Sequence, residues 1–236
     1  MSLRTWQQTL KPREELLYNC SEYDKCEDGW VDFPIGMGWK YARVFNSSNL
    51  TEDFSSSESK PLKFVNYSES LKRTQLGNHY HTVLCCIADW TDSMKRRPNP
   101  PNRRSYLQTL ANNGIRNLQM DEEIYFSALP HVKFVISPEG NGIDCHRTYE
   151  ALMAGCIPIV EEHPGIRKKY EGCPILYTKD YSEINETYLN RVWDELIDKE
   201  YNFSKLLLSS YSKEEQEQIK SNGNYWCERL SKKRWY

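Results

Sequence analysis

Long apolar runs are missing from this 236-residue chain: the longest, "VLCCIA" from Val83 to Ala88, has six residues, against the roughly 20 that a membrane-spanning helix needs. No membrane span is therefore expected. The opening "MSLRTWQQTL" has no apolar h-region, so no signal peptide is read there. Cytoplasm is the expected compartment, with the Golgi or ER lumen as the alternative if an upstream anchor has been removed. No Cys-x-x-Cys pair occurs among the eight cysteines, which speaks against a zinc ribbon or finger. Cys85 and Cys86 are adjacent in an apolar run, where strand geometry sends them to opposite faces; the cysteines read as buried free thiols, as in a reducing compartment. An excess of one charge is also lacking, with 31 Lys and Arg against 33 Asp and Glu, so no nucleic-acid partner is expected. No internal repeat is present. Six Asn-x-Ser/Thr sequons, at Asn19, Asn46, Asn49, Asn66, Asn185 and Asn202, point the other way, toward a secretory compartment.

What is present is an alternation of strand-like and helix-like segments. A helix is expected in "TWQQTLKPREELLY", split or capped by Pro12, followed by a short strand in "GWVDFPIGM" ended by Pro34 and Gly36. The Ser-rich, acidic "SSNLTEDFSSSESKP" reads as a loop or linker. Downstream come the strand "TVLCCIAD", a basic Pro-rich loop, the helix "RRSYLQTLANNG" with Tyr106, Leu107 and Leu110 on one face and Gly114 as C-cap, and "MDEEIYFSALP" with Asp121 as N-cap and Pro130 as stop. "VKFVI", "CIPIVEE" and "CPILYTK" complete a strand series separated by helices. That rhythm implies a parallel sheet with helices on both faces. The boundaries read as a reduced amino-terminal α/β segment over 1–78, a Rossmann-like domain over 79–212, and a terminal helix over 213–236 that packs back across both. His79 and His81 read as an exposed pair at the junction between the first two.

The densest stretch is "VKFVISPEGNGIDCHRTYEALMAGCIPIVEE", Val132 to Glu162. A strand should stop at Ser137, and Gly140 and Gly142 let the backbone turn and bring its amides close to a ligand. Asp144 is expected to cap the following helix, which carries Tyr149, Leu152 and Met153 inward and presents Arg147 and Glu150 as i,i+3 neighbours on its other face. A helix N-terminus beside a guanidinium suits a diphosphate, and a carboxylate one turn on suits ribose hydroxyls. The bland alternative is a surface ion pair. A dinucleotide fingerprint is opposed by Cys145 standing where a third glycine belongs, although Glu161 could serve as a ribose-binding acid.

The residues Ser137-Pro138, Gly140, Asp144-Cys145, Arg147, Glu150-Ala151, Gly155 and Ile157-Pro158-Ile159-Val160 resemble the donor signature of exostosin-like glycosyltransferases, the family 47 type of GT-B enzyme, including its ribitol-xylosyltransferase relatives and small viral and bacterial members. The resemblance implies a GT-B-like α/β fold and a nucleotide-sugar donor, with Arg147 on the diphosphate and Glu150 on the ribose. UDP is the expected nucleotide and xylose the favoured sugar, transferred to a glycan hydroxyl with inversion. The retaining pattern, two glutamates in Glu-x7-Glu spacing, is not met, because Glu139 and Glu150 are eleven apart. Departing from the family, residues 1–78 are short for an acceptor domain.

Around this signature the donor-binding set is read as Ser137, Glu139, Gly140, Asn141, Gly142, Asp144, Cys145, His146, Arg147 and Glu150, with Arg103 or Arg104 reaching the diphosphate from the opposite wall. An inverting transfer needs a base; Asp89 at a strand end and Asp32 in the amino-terminal segment are the candidates. No Asp-x-Asp occurs, so no cofactor and no obligatory metal are expected, the diphosphate being met by amides, helix dipole and arginines. The rivals are a non-catalytic nucleotide- or glycan-binding module and an NAD(P)-dependent oxidoreductase. Acceptor identity and oligomeric state are not written in the sequence.

Overall fold

A computed structural model describes residues 1–7, 15–20, 31–38, 79–92 and 102–231. The Ser-rich linker, the basic stretch Lys95–Arg97 and the sequons at Asn46, Asn49 and Asn66 lie outside them.

Four strands form one parallel sheet in the order β1 (His81–Leu84), β2 (Val132–Ile136), β3 (Ile157–Glu161), β4 (Leu176–Thr178). Every residue of β3 is buried, and all of β2 but Lys133. That is the signature of parallel strands covered on both faces, and it explains their β-branched, nearly continuous apolar composition. Among the described residues the helices are α1 (Leu3–Gln7), α2 (Arg103–Asn112), α3 (Glu122–Ala128), α4 (His146–Met153), α5 (Pro164–Lys169), α6 (Glu186–Leu196) and α7 (Lys213–Ser231). The mixed α/β, Rossmann-like expectation holds. Among the described residues no helix is long and apolar enough to cross a membrane.

Local signals set the helix ends. Asn102 accepts from the Ser105 amide to start α2, and the chain leaves α2 through Gly114 at φ +84°, a conformation that favours glycine. Asp121 accepts from the Ile124 amide at 2.8 Å and starts α3. Pro130 lies in a 3-10 turn just after that helix ends, as its missing N–H dictates.

β1 is shorter than its apolar run. From Cys85 the chain leaves the ladder because Asn117 takes over: its side chain accepts from the Ile87 amide and donates to the Ile87 carbonyl, both at 2.9 Å. An amide side chain replaces a strand neighbour there.

The amino-terminal expectations are corrected. Leu16 and Tyr18 are not helical; they form single bridges to Leu207 and Met37, and Leu16, Leu17 and Tyr18 are essentially unexposed. Burying three consecutive large side chains suits an extended segment in a crowded core better than a one-faced helix. Residues 31–38 form no strand beyond the Met37 bridge. They are fixed by Gly36, at φ +79°, where a Cβ would sit 2.4 Å from the Leu17 carbonyl. One apolar core joins these pieces to the sheet: the Trp6 indole donates to the Leu152 carbonyl at 2.8 Å and stacks on Phe203. α7 lies along residues 19–20, with Cys20 donating to the Ile219 carbonyl. His79 is not exposed either, since its ring packs edge-on against Trp193 of α6 and its Nε2 meets the Gly155 carbonyl at 3.3 Å.

Candidate donor site

The turn after β2 is fastened before it meets any ligand. Ser137 Oγ lies 2.9 Å from Thr148 Oγ1 and 3.1 Å from Cys145 Sγ, joining the strand end to the first turn of α4. The Glu139 amide donates to Glu161 Oε2 at 3.0 Å, and the Gly140 amide to the Gly142 carbonyl at 3.0 Å. Asn141 is the exposed tip. Glu161 thus holds the turn in place.

Arg103 explains Gly140. A Cβ on Gly140 would lie 3.2 Å from Arg103 Nη2, so the glycine makes room for a guanidinium from this same chain. Arg103 is buried and donates to the carbonyls of Glu139 at 3.0 Å, Ala88 at 3.1 Å and Pro138 at 3.1 Å, and to Thr91 Oγ1. Four of its five donors tie the β1 and β2 loops together. Arg104 points outward and pairs with Asp89 at 3.1 Å. Asp32 pairs with Lys168 at 2.9 Å, both largely exposed.

Asp144 does not cap α4; Cys145 is the N-cap and makes no side-chain cap bond. The Asp144 carboxylate instead accepts from the Ile35 amide at 2.9 Å and the Tyr170 hydroxyl at 2.8 Å, and it pairs with Lys169 at 3.6 Å, both side chains buried. The carboxylate is held by a buried lysine instead of the helix end. Beside it, His146 Nδ1 lies 2.9 Å from the Gly36 carbonyl, so residues 35–38 run across the start of α4.

Past these contacts opens a cavity of about 650 Å³, lined in part by Ala88, Met120, Asp121, Tyr125, Arg147 and Glu150. It lies at the carboxyl ends of β1 and β2, where open α/β sheets take ligands. Cys145, His146 and Arg103 reach it as well; Asp89 and Asp32 do not line it.

Arg147 is partly buried, and its Nε is shut off from solvent without an acceptor. Its guanidinium carbon lies 5.7 Å from the Tyr125 ring centroid, within cation–π range. Burial acts against its charge, but Tyr125, Cys145 and Glu150 outweigh burial and raise its pKa. Glu150 is buried, and its Oε2 accepts from the Tyr125 hydroxyl at 3.2 Å. Its Oε1 faces Gly38, where a Cβ would approach to 3.2 Å. The surface ion pair of the bland reading is absent: both groups turn to Tyr125. The shielded Nε is a donor left unused, at a cost in free energy.

Sequence reasoning assigned Asp121 and its helix only to capping and missed Tyr125 altogether. The N-cap position of Asp121 was the one signal pointing to that wall.

The RXYLT1 C-terminal domain family matches residues 97–221, more than half of the chain, and the match contains Arg103, Asp121, Tyr125, Arg147 and Glu150. The chain belongs to this family. It is thereby placed among ribitol xylosyltransferase-like glycosyltransferases. A comparison with curated proteins finds no match. The family match begins after β1 and after residues 31–38, so the wall made by Gly38 lies outside it.

Proposed function

We propose that this chain transfers a sugar, xylose being favoured, from a UDP-linked donor to a glycan hydroxyl with inversion, in a GT-B-like cleft and without an obligatory metal. The observation that carries the reading is that Arg147 and Glu150 line the same cavity at the start of one helix without pairing with each other. Diphosphate oxygens meet the part of the guanidinium that faces the cavity, and Glu150 Oε1 accepts from a ribose hydroxyl. The first turn of α4 adds its amides and dipole to the diphosphate charge. The family supports sugar transfer and weighs against the oxidoreductase.

The base is assigned differently from the sequence reading. Asp121 lines the cavity, with Oδ1 engaged by the Ile124 amide and Oδ2 left to take the acceptor proton, whereas Asp89 and Asp32 stand elsewhere in ion pairs. For the compartment, all seven described cysteines are free, and the sequon Asn19 is buried; both favour a reducing environment over a secretory one.

The test is a thermal-shift panel of UDP, GDP, UDP-xylose, UDP-glucose and NAD, followed by donor turnover in the presence of glycan acceptors. Stabilisation by UDP and its sugars with turnover lost in Asp121→Asn is the expected outcome. Binding of UDP without turnover on any acceptor would make the chain a binding module, and stabilisation by NAD alone would reject the site.

A further inference from the structure

Arginine and glutamate three residues apart on a helix are neighbours and ordinarily attract each other. A closed Arg147–Glu150 pair would cancel the charge meant for a diphosphate and occupy the carboxylate meant for a ribose. The structure keeps them apart through a third side chain from another helix. Tyr125 puts its hydroxyl on Glu150 Oε2 at 3.2 Å and its ring 5.7 Å from the guanidinium carbon of Arg147.

We propose that Tyr125 is a positioning residue that prevents Arg147 and Glu150 from closing on one another and so holds both open for a nucleoside diphosphate. The proposal rests on the donor-site reading above. Tyr125 is itself buried and set in α3, whose start Asp121 fixes. Its phenol stays a donor, because burial, and next Glu150, push its pKa well above the usual value. Phenylalanine at this position would keep the ring under Arg147 and release Oε2, leaving Glu150 free to swing one helical turn toward the guanidinium.

Isothermal titration with UDP and with inorganic pyrophosphate tests this on the full chain and on Tyr125→Phe, Glu150→Gln and the double variant. Tyr125→Phe is expected to weaken both ligands about tenfold, as loss of a hydrogen bond to a charged group allows. In the Glu150→Gln background, where no charge remains to close on Arg147, the same change should cost less than about twofold. A structural role would give the same loss in both backgrounds, and that result, or no loss from Tyr125→Phe alone, overturns the proposal. Glu150→Gln alone gives a reading independent of whether Tyr125→Phe folds: UDP should weaken while pyrophosphate affinity rises less than about threefold, and a gain of about tenfold or more, the mark of a pair that closes despite Tyr125, overturns it. If Arg147→Ala and Glu150→Gln both bind UDP as the unaltered chain does, the donor site itself fails; if they weaken it and Tyr125→Phe does not, only the role of Tyr125 fails.

Discussion

Lys169 and Asp144 form an ion pair 3.6 Å long with both side chains about 1% exposed, at the point where α5, the start of α4 and residues 31–38 meet. The same carboxylate takes the Ile35 amide and the Tyr170 hydroxyl. One acid therefore fastens the amino-terminal wall to the donor helix.

Removing Asp144 takes a buried carboxylate away from the buried Lys169 ammonium, so Asp144→Ala should cost about 3–5 kcal/mol of stability. The double variant Asp144→Leu, Lys169→Met should lose less than the single one, because neither charge remains. Urea denaturation of the two variants measures this, and a larger loss in the double variant would contradict the buried-pair account.

Gly38 separates stability from function. Its backbone is not in the left-handed region, so alanine there carries no backbone strain and should change stability by less than about 1 kcal/mol. A Cβ 3.2 Å from Glu150 Oε1 crowds the oxygen assigned to ribose, and UDP affinity should fall about fivefold. Thermal unfolding and titration on the same Gly38→Ala sample show whether the two effects part.

His79 gives a pH dependence. Burial lowers its pKa from 6.5 to about 4, against a raising contribution from the Gly155 carbonyl. The unfolded chain takes up this proton as pH falls through 6.5, and the folded chain resists until about 4. The contribution is thus complete above pH 6.5 and is lost progressively as pH falls toward 4, by at most about 3 kcal/mol. Urea unfolding at pH 7 and pH 4.5 should show a smaller drop in His79→Gln than in the unaltered chain.

The stretch from β2 to β3 was legible because its signals are local: strand-like Val132–Ile136, turn glycines, a 3.6-residue apolar stripe, and Gly155 at its end. The caps at Asp121 and Gly114 were legible for the same reason. Asp144 was misread because its partners, Ile35, Lys169 and Tyr170, come from two distant segments. Local chemistry made it a cap, and a buried lysine overrode that. Leu16 to Tyr18 were misread as helix because their extended form depends on Met37 and Leu207. Arg103 was read as reaching a diphosphate from the opposite wall, yet it donates to loop carbonyls that belong to backbone whose path no side-chain pattern encodes. Tyr125 was overlooked because a tyrosine in an amphipathic helix looks like core; its link to Glu150 exists only once the sheet sets α3 beside α4.

The most direct test of the donor-site account is titration of UDP into the unaltered chain and into Arg147→Ala. Losing a charge-assisted contact to diphosphate should weaken UDP about a hundredfold, ~3 kcal/mol, measured at a temperature where thermal unfolding shows both proteins folded. Equal UDP affinity in the two proteins would contradict the account.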